Sequence, residues 1–389
     1  MANPPEHPPA GRSALRAWIG PHAGMQCAVF LGIAGMLAFL CNNLFINMEG
    51  SGLSPGFAFL WQPANFAIGE SLISYEAQDS FGRAIGVGIL NTLLVSGLGC
   101  VLATVVGVAL GIIRLSSNPV ASGLVRGYVE IVRNTPLLLQ LFFWSALAKT
   151  LPAVRQAPEP VPGVILSNRG IYFPDVSTTS HQWGIYTIGV VIAAVLGWLL
   201  ASRLLGEKPR SRLQVHVAVV LAAVGLFTIP IILGGFDVTL PARKGFNIAG
   251  GLSLSPEFAI LLIGLVVNAS AGIAEIVRSG IQAVDAGQWE AGHSLGLKRG
   301  QTIRLIVLPQ AIRIAVPLLI SSYLSLTKNS SLAVAIGYPD LVSIVNTAAN
   351  QAGHALEAIV IMMVVYLAIS LAVSWALNAF HRRSALVGR

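Results

Sequence analysis

The chain has 389 residues, of which 54% are apolar and only 10% are Asp, Glu, Lys or Arg; soluble domains carry roughly 25% charged residues, so a water-soluble fold is excluded. The formal net charge of +8 does not point to nucleic acid, because the basic residues lie between apolar blocks and are not interleaved with aromatics along a polar face. Three cysteines, Cys27, Cys41 and Cys100, sit in or beside apolar stretches without paired spacing, and seven histidines show no ligand spacing. Neither a disulfide framework nor a metal site is expected.

Residues 1–23 read as a polar, Pro-rich tail. The apolar block that follows, 24–46, is too long for a signal-peptide core, and Asn42, Asn43 and Phe45 leave no small-residue cleavage site. A retained first span is therefore expected, with 24–83 comprising that span and an outer loop. About 20 apolar residues cross a bilayer as a helix, and further spans are predicted at 84–113, 128–150, 183–205, 213–234, 257–281, 311–335 and 356–380, with a short tail at 381–389. The fold class is thus an all-α integral membrane protein with about eight transmembrane helices. Gly86, Gly88, Gly97, Gly99, Gly107 and Gly111 in the second span suit close helix packing.

Sixteen of the 24 Lys and Arg residues fall on one side of this arrangement, among them Arg12, Arg16, Arg203, Lys208, Arg210, Arg212, Arg382 and Arg383. Positively charged loops stay in the cytoplasm, so both termini are expected there.

One loop carries a composite signal. Glu290-Ala291-Gly292-His293-Ser294-Leu295-Gly296 is followed, after nine residues, by Ile306-Val307-Leu308-Pro309. Asp285 and Gln288 have capping-box spacing, so a short helix should begin there. Gly296 can take the left-handed conformation that ends it. A second amphipathic piece is predicted from about Arg299 to Leu308, broken by Pro309 before the next span. On physical grounds this helix-turn-helix either plugs into a groove on a cytosolic partner or lies on the lipid surface.

The spacing of Glu290, Ala291, Gly292, Gly296, Ile306, Leu308 and Pro309 resembles the EAA loop of ABC importer permeases, with Gly292 standing where the family's second alanine is usual. Asn91-Thr92-Leu93, Arg133 to Phe143, Ala274 to Gly280 and Lys328 to Ala333 also resemble the polar amino-acid branch of those permeases. The resemblance implies a five-helix core over 84–150 and 257–380, with 285–309 as the coupling loop. One N-terminal helix and two helices within an inserted region, 151–256, would lie outside that core. Such an enlarged form is similar to a permease of general L-amino-acid importers. The implied partners are an ATP-binding ABC subunit, a second and related permease forming a heterodimer, and a periplasmic amino-acid-binding protein, at a bacterial inner membrane. ATP and Mg would be bound by the partner. This chain has no G-x-x-x-x-G-K-[ST] phosphate loop, no catalytic constellation and no cofactor motif.

Ionisable groups in spans are costly and mark function or pairing. Glu130 with Arg133, and Glu275 with Arg278, each lie three apart and read as pairs on one helix face, the second suited to a gate or hinge. Lys328, Asn329, Ser330 and Ser331 offer a cation, an amide and two hydroxyls at mid-span, and with Asn91 and Thr135 are expected along the substrate pathway. Alternatively, Lys328 pairs with Glu130 or Glu275 from another span. An ion-coupled secondary amino-acid transporter is the competing function; it predicts two matching halves, which the sequence lacks, and leaves the EAA-like loop unexplained.

Overall fold

The computed structural model describes residues 23–50, 56–177, 237–245 and 247–385. Among the described residues the regular elements are helices and seven short strands. Helix α1, Ala23–Gly50, is followed by α2, Phe81–Arg114, which Ser80 starts by accepting from the Arg83 N–H. Helices α3, Pro119–Asn134, and α4, Leu137–Lys149, come next. The predicted single span 128–150 is therefore corrected: helix begins nine residues earlier, at Pro119, and is divided at Thr135-Pro136. Asn118 caps α3 through the N–H groups of Val120 and Ala121, and the Pro136 ring ends it. Spans predicted at 183–205 and 213–234 lie outside the described residues.

Seven strands of three or four residues follow: β1 (Ile165–Ser167), β2 (Gly170–Phe173), β3 (Asp175–Ser177), β4 (Asp237–Thr239), β5 (Ala242–Lys244), β6 (Asn247–Ala249) and β7 (Leu252–Leu254). They pair antiparallel as β1-β2-β7, β3-β4 and β5-β6. This β element was not expected from a sequence read as all-helical outside its loops. Strands of this length bury too few side chains to impose an apolar alternation.

Helix α5, Pro256–Gln282, leads to α6, Ala286–Ser294, and to α7, Arg299–Thr302. A π turn, Ile303–Val307, joins α7 to α8, Leu308–Asn329. Pro309 was expected to break the chain here, but the helix runs on. The Leu308 N–H reaches back five residues to the Ile303 carbonyl, so the wider turn admits the proline that an unbroken α ladder would exclude. A 3₁₀ stretch, Ser330–Ile336, then α9, Leu341–Ala352, and α10, Ala355–Ala385, complete the chain. Among the described residues, five segments are long and apolar enough to cross a membrane: Gly24–Asn43, Phe81–Arg114, Pro256–Gln282, Arg299–Ile336 and Ala355–Trp375.

The tightest seam joins α2 to α5. A Cβ on Gly107 would lie 2.6 Å from Ile273 Cβ and 2.9 Å from the Ser270 carbonyl; one on Gly111 would lie 2.8 Å from Val277 Cβ. These two glycines, one turn apart, let the backbones approach. Gly88 and Gly99 likewise meet Leu341 and Leu326, whereas Gly86 and Gly97 have open space. At the strand end of the seam, Asn91 donates to the carbonyls of Glu70 and Pro339, each at 2.9 Å, and Thr92 accepts from the Leu341 N–H at 3.0 Å. Asp340 caps α9 through the Ser343 N–H. Fully buried, its carboxyl is pushed up to about 7 by desolvation, against partial relief from backbone hydrogen bonds.

Candidate functional site

Two features stand apart from simple packing: the break between α3 and α4, and the α6-α7 hairpin. At the break, Pro136 has no N–H to give the Val132 carbonyl one turn back. Gln140 replaces it, its Nε2 donating to the carbonyls of Val132 and Thr135, each at 2.9 Å. The freed carbonyls are thus satisfied by a side chain that sequence reasoning passed over. The signal available was a glutamine one turn after a proline inside an apolar run. Tyr128 ties α3 to α5, its hydroxyl 2.9 Å from both the Val267 carbonyl and Ser270 Oγ. Val125, Val129 and Val132 pack on Ala271 and Ala274.

This docking places the last turn of α3 beside the middle of α5 and the C-terminal half of α8. There the structure has a polar cavity of about 190 Å³, lined by Arg133, Leu265, Asn268, Ala269, Gly272, Ser322, Ser325, Leu326 and Asn329. Arg133 and Asn329 were singled out from the sequence; Asn268, Ser322 and Ser325 were not, since each is a lone polar residue in an apolar run. Other expected pathway residues are placed elsewhere. Lys328, exposed like Arg133, is outside the cavity lining. Ser330 Oγ donates to the Thr327 carbonyl and Ser331 Oγ to the Lys328 carbonyl, each at 2.7 Å. Thr135 Oγ1 donates to the Ile131 carbonyl at 2.7 Å, and both amide bonds of Asn91 go to backbone, as described above.

The ion pairs also differ from expectation. Glu130 pairs not with Arg133 but with Arg126, one turn the other way, at 2.8 Å on an exposed face. Glu275 does meet Arg278, and Arg114 from the end of α2 joins the same carboxylate. Neither acid pairs with Lys328, and among the described residues Lys328 and Arg133 make no ion pair.

The hairpin is built as a stiff unit. Asp285 caps α6 through the Gly287 N–H at 2.7 Å, while Gln288 bonds to Gln310 of α8 and does not close a capping box. Gly296, at φ 71°, ends α6; the Leu297 N–H reaches the Gly292 carbonyl and the Gly296 N–H that of His293, a Schellman pattern. Val284, Val307 and Ala311, with Trp289 against them, anchor its root. Gly292 is buried: a Cβ there would lie 2.6 Å from Thr302 Cγ2 and 3.2 Å from Ile306 Cδ1. Glu290, Ala291 and Leu295 remain exposed, the last at 76%.

The family described as binding-protein-dependent transport system inner membrane component matches residues 193–385. A putative amino-acid ABC transporter permease, YhdX of Escherichia coli K12, is 42% identical over 96% of this chain and 95% of its own. The chain is an amino-acid ABC transporter permease. It is also 39% identical to the general L-amino acid transport system permease AapQ of Rhizobium johnstonii, over 94% of this chain and 92% of that one. The glutamate/glutamine/aspartate/asparagine transport system permease BztB of Rhodobacter capsulatus is 36% identical over 92% of each. With 96% of the permease aligned to its Escherichia coli relative, the similarity reaches through 151–256 as well.

Proposed function

We propose that this permease forms the membrane pathway of an ATP-driven L-amino-acid importer and that its hairpin, Asp285–Pro309, receives the stroke of a separate ATP-binding subunit. The observation that carries this reading is the hairpin itself. It exposes Glu290, Ala291 and Leu295 while its other face is fixed to α8 by Gly292 against Thr302 and by Gln288 to Gln310. A push on α6 then moves α8 with it, because no flexible linker intervenes between α7 and α8. ATP and Mg belong to the partner, and no cofactor is assigned to this chain. Glu275, held between Arg114 and Arg278 at the hairpin end of α2 and α5, would serve as the inner clasp that this movement opens.

The charge bias supports a cytoplasmic position for the hairpin and both termini, at a bacterial inner membrane. A second, related permease would complete the pathway, and a periplasmic amino-acid-binding protein would dock at the strand end. Broad specificity follows the relatives named for general and for acidic and amide amino acids. The test is reconstitution with the partner subunits and measurement of ATP hydrolysis as the binding protein is loaded with each amino acid. Stimulation by amino acids supports the reading; amino-acid uptake that persists without the ATP-binding subunit overturns it.

A further inference from the structure

The cavity beside the α3-α4 break contains one charged side chain, Arg133, among its lining residues. Among the described residues no carboxylate is paired with it, although Glu275 feels its charge at longer range. Glu130 is taken by Arg126, and Glu275 by Arg114 and Arg278. Arg133 is exposed to the cavity; a guanidinium keeps its charge there, and a fixed charge between spanning helices persists where water or a ligand meets it. The position suits a cation, since it is the last turn of α3 where carbonyl dipoles converge. Gln140 satisfies the freed carbonyls, so the guanidinium is not consumed in repairing the break.

The rest of the cavity supplies neutral groups: the amides of Asn268 and Asn329 and the hydroxyls of Ser322 and Ser325. Amide and hydroxyl oxygens accept from an ammonium, and Arg pairs with a carboxylate through two parallel hydrogen bonds. There is no acid in the lining to hold a purely cationic ligand. We propose that Arg133 binds the α-carboxylate of the amino acid in transit, while Asn268, Asn329, Ser322 and Ser325 meet its ammonium. This site thereby reads the group that all amino acids share and leaves side-chain choice to other parts of the transporter. The assignment rests on the amino-acid permease reading above, and it moves the carboxylate contact from Lys328, where the sequence put it, to Arg133.

The test uses the complete reconstituted transporter and L-leucine against isopentylamine, the same molecule without its carboxylate. In detergent, without binding protein, wild-type complex should bind labelled leucine, and a large excess of isopentylamine should not displace it. Arg133→Gln should weaken leucine binding and uptake by roughly 10- to 100-fold, Arg133→Lys should recover part of the loss, and the exposed control Lys149→Gln, at the far end of α4, should leave both unchanged. Competition by isopentylamine as strong as by leucine overturns the proposal without any variant. So does an Arg133→Gln complex that transports normally, or one that fails to assemble while wild type binds both compounds alike. A wild-type complex that imports no amino acid at all would instead overturn the underlying reading, and is told apart by that result alone.

Discussion

Helix α5 is used in two opposite ways. Toward α2 it is packed without space, with Ile273 and Val277 against Gly107 and Gly111. Toward α3 and α8 it turns Asn268 and Gly272 to a polar cavity, and a Cβ on Gly272 would meet nothing within 4 Å. The difference is one of backbone. Along the α2 seam both helices keep their hydrogen-bond ladders whole, so their surfaces can be smooth and small-sided. At the α3-α4 break a ladder is interrupted, a side chain mends it, and the offset between the two helices leaves room for a ligand.

The largest expected effect comes from filling the seam. Gly107→Leu would drive a side chain into Ile273 and the Ser270 carbonyl, separating α2 from α5 at a cost of about 3 kcal/mol or more. Fluorescence-detected size exclusion should then find little folded permease, whereas Gly86→Leu, with open space around it, should behave as wild type. At the strand end of the same seam, Asp340 prefers its protonated form. Its carboxyl titrates near 3.8 when unfolded and about 7 when folded, so the folded state holds the extra proton and stability falls as pH rises from about 4 to 7. Thermal melts at pH 5 and pH 8 should show wild type losing about 2–3 kcal/mol through this group. Asp340→Asn keeps a capping side chain and should flatten that dependence.

The break is tested by Gln140→Leu, which leaves the Thr135 carbonyl unpaired and the Val132 carbonyl with only the long bond from the Thr135 N–H, at 3.4 Å. A loss of about 2 kcal/mol is expected, read as a lowered melting temperature together with reduced transport as Arg133 shifts. If transport falls while the melting temperature does not, the repair of the ladder is not what holds Arg133. The smallest effect belongs to the hairpin. Gly292→Ala brings a methyl against Thr302 and should cost about 1–2 kcal/mol and lower coupled ATP hydrolysis; adding Thr302→Ala should restore both, because it removes the two Thr302 atoms that crowd the new methyl.

The membrane class, the order of the core helices and the hairpin were legible because each depends on local sequence. Apolar length, Asp285 at an N-cap, Gly296 past a helix end and the EAA-like spacing act within one or two turns. The readings that failed depended on which neighbour a side chain meets. Glu130 is flanked by Arg126 four residues before it and Arg133 three after, and spacing permits both pairs; only the docking of α3 on α5 turns Arg133 to the cavity and leaves Arg126 for the acid. Pro309 reads as a breaker because its ring opposes an α ladder, and a π turn that accommodates it leaves no composition signal. Asn91 was placed in the pathway as a polar group in a span, and the fold instead uses it to join two distant backbone segments.

The sequence by itself determined that this protein lives in a bilayer and that a helix-turn-helix precedes Pro309, since hydrophobic length, turn chemistry and motif spacing are properties of contiguous residues. The tertiary structure decided that the lone cation of the cavity is Arg133 and not Lys328. That choice depends on the angle between α3 and α5, which is set by Pro136, by the Gln140 repair and by valines packed on alanines, and no stretch of the chain records it locally.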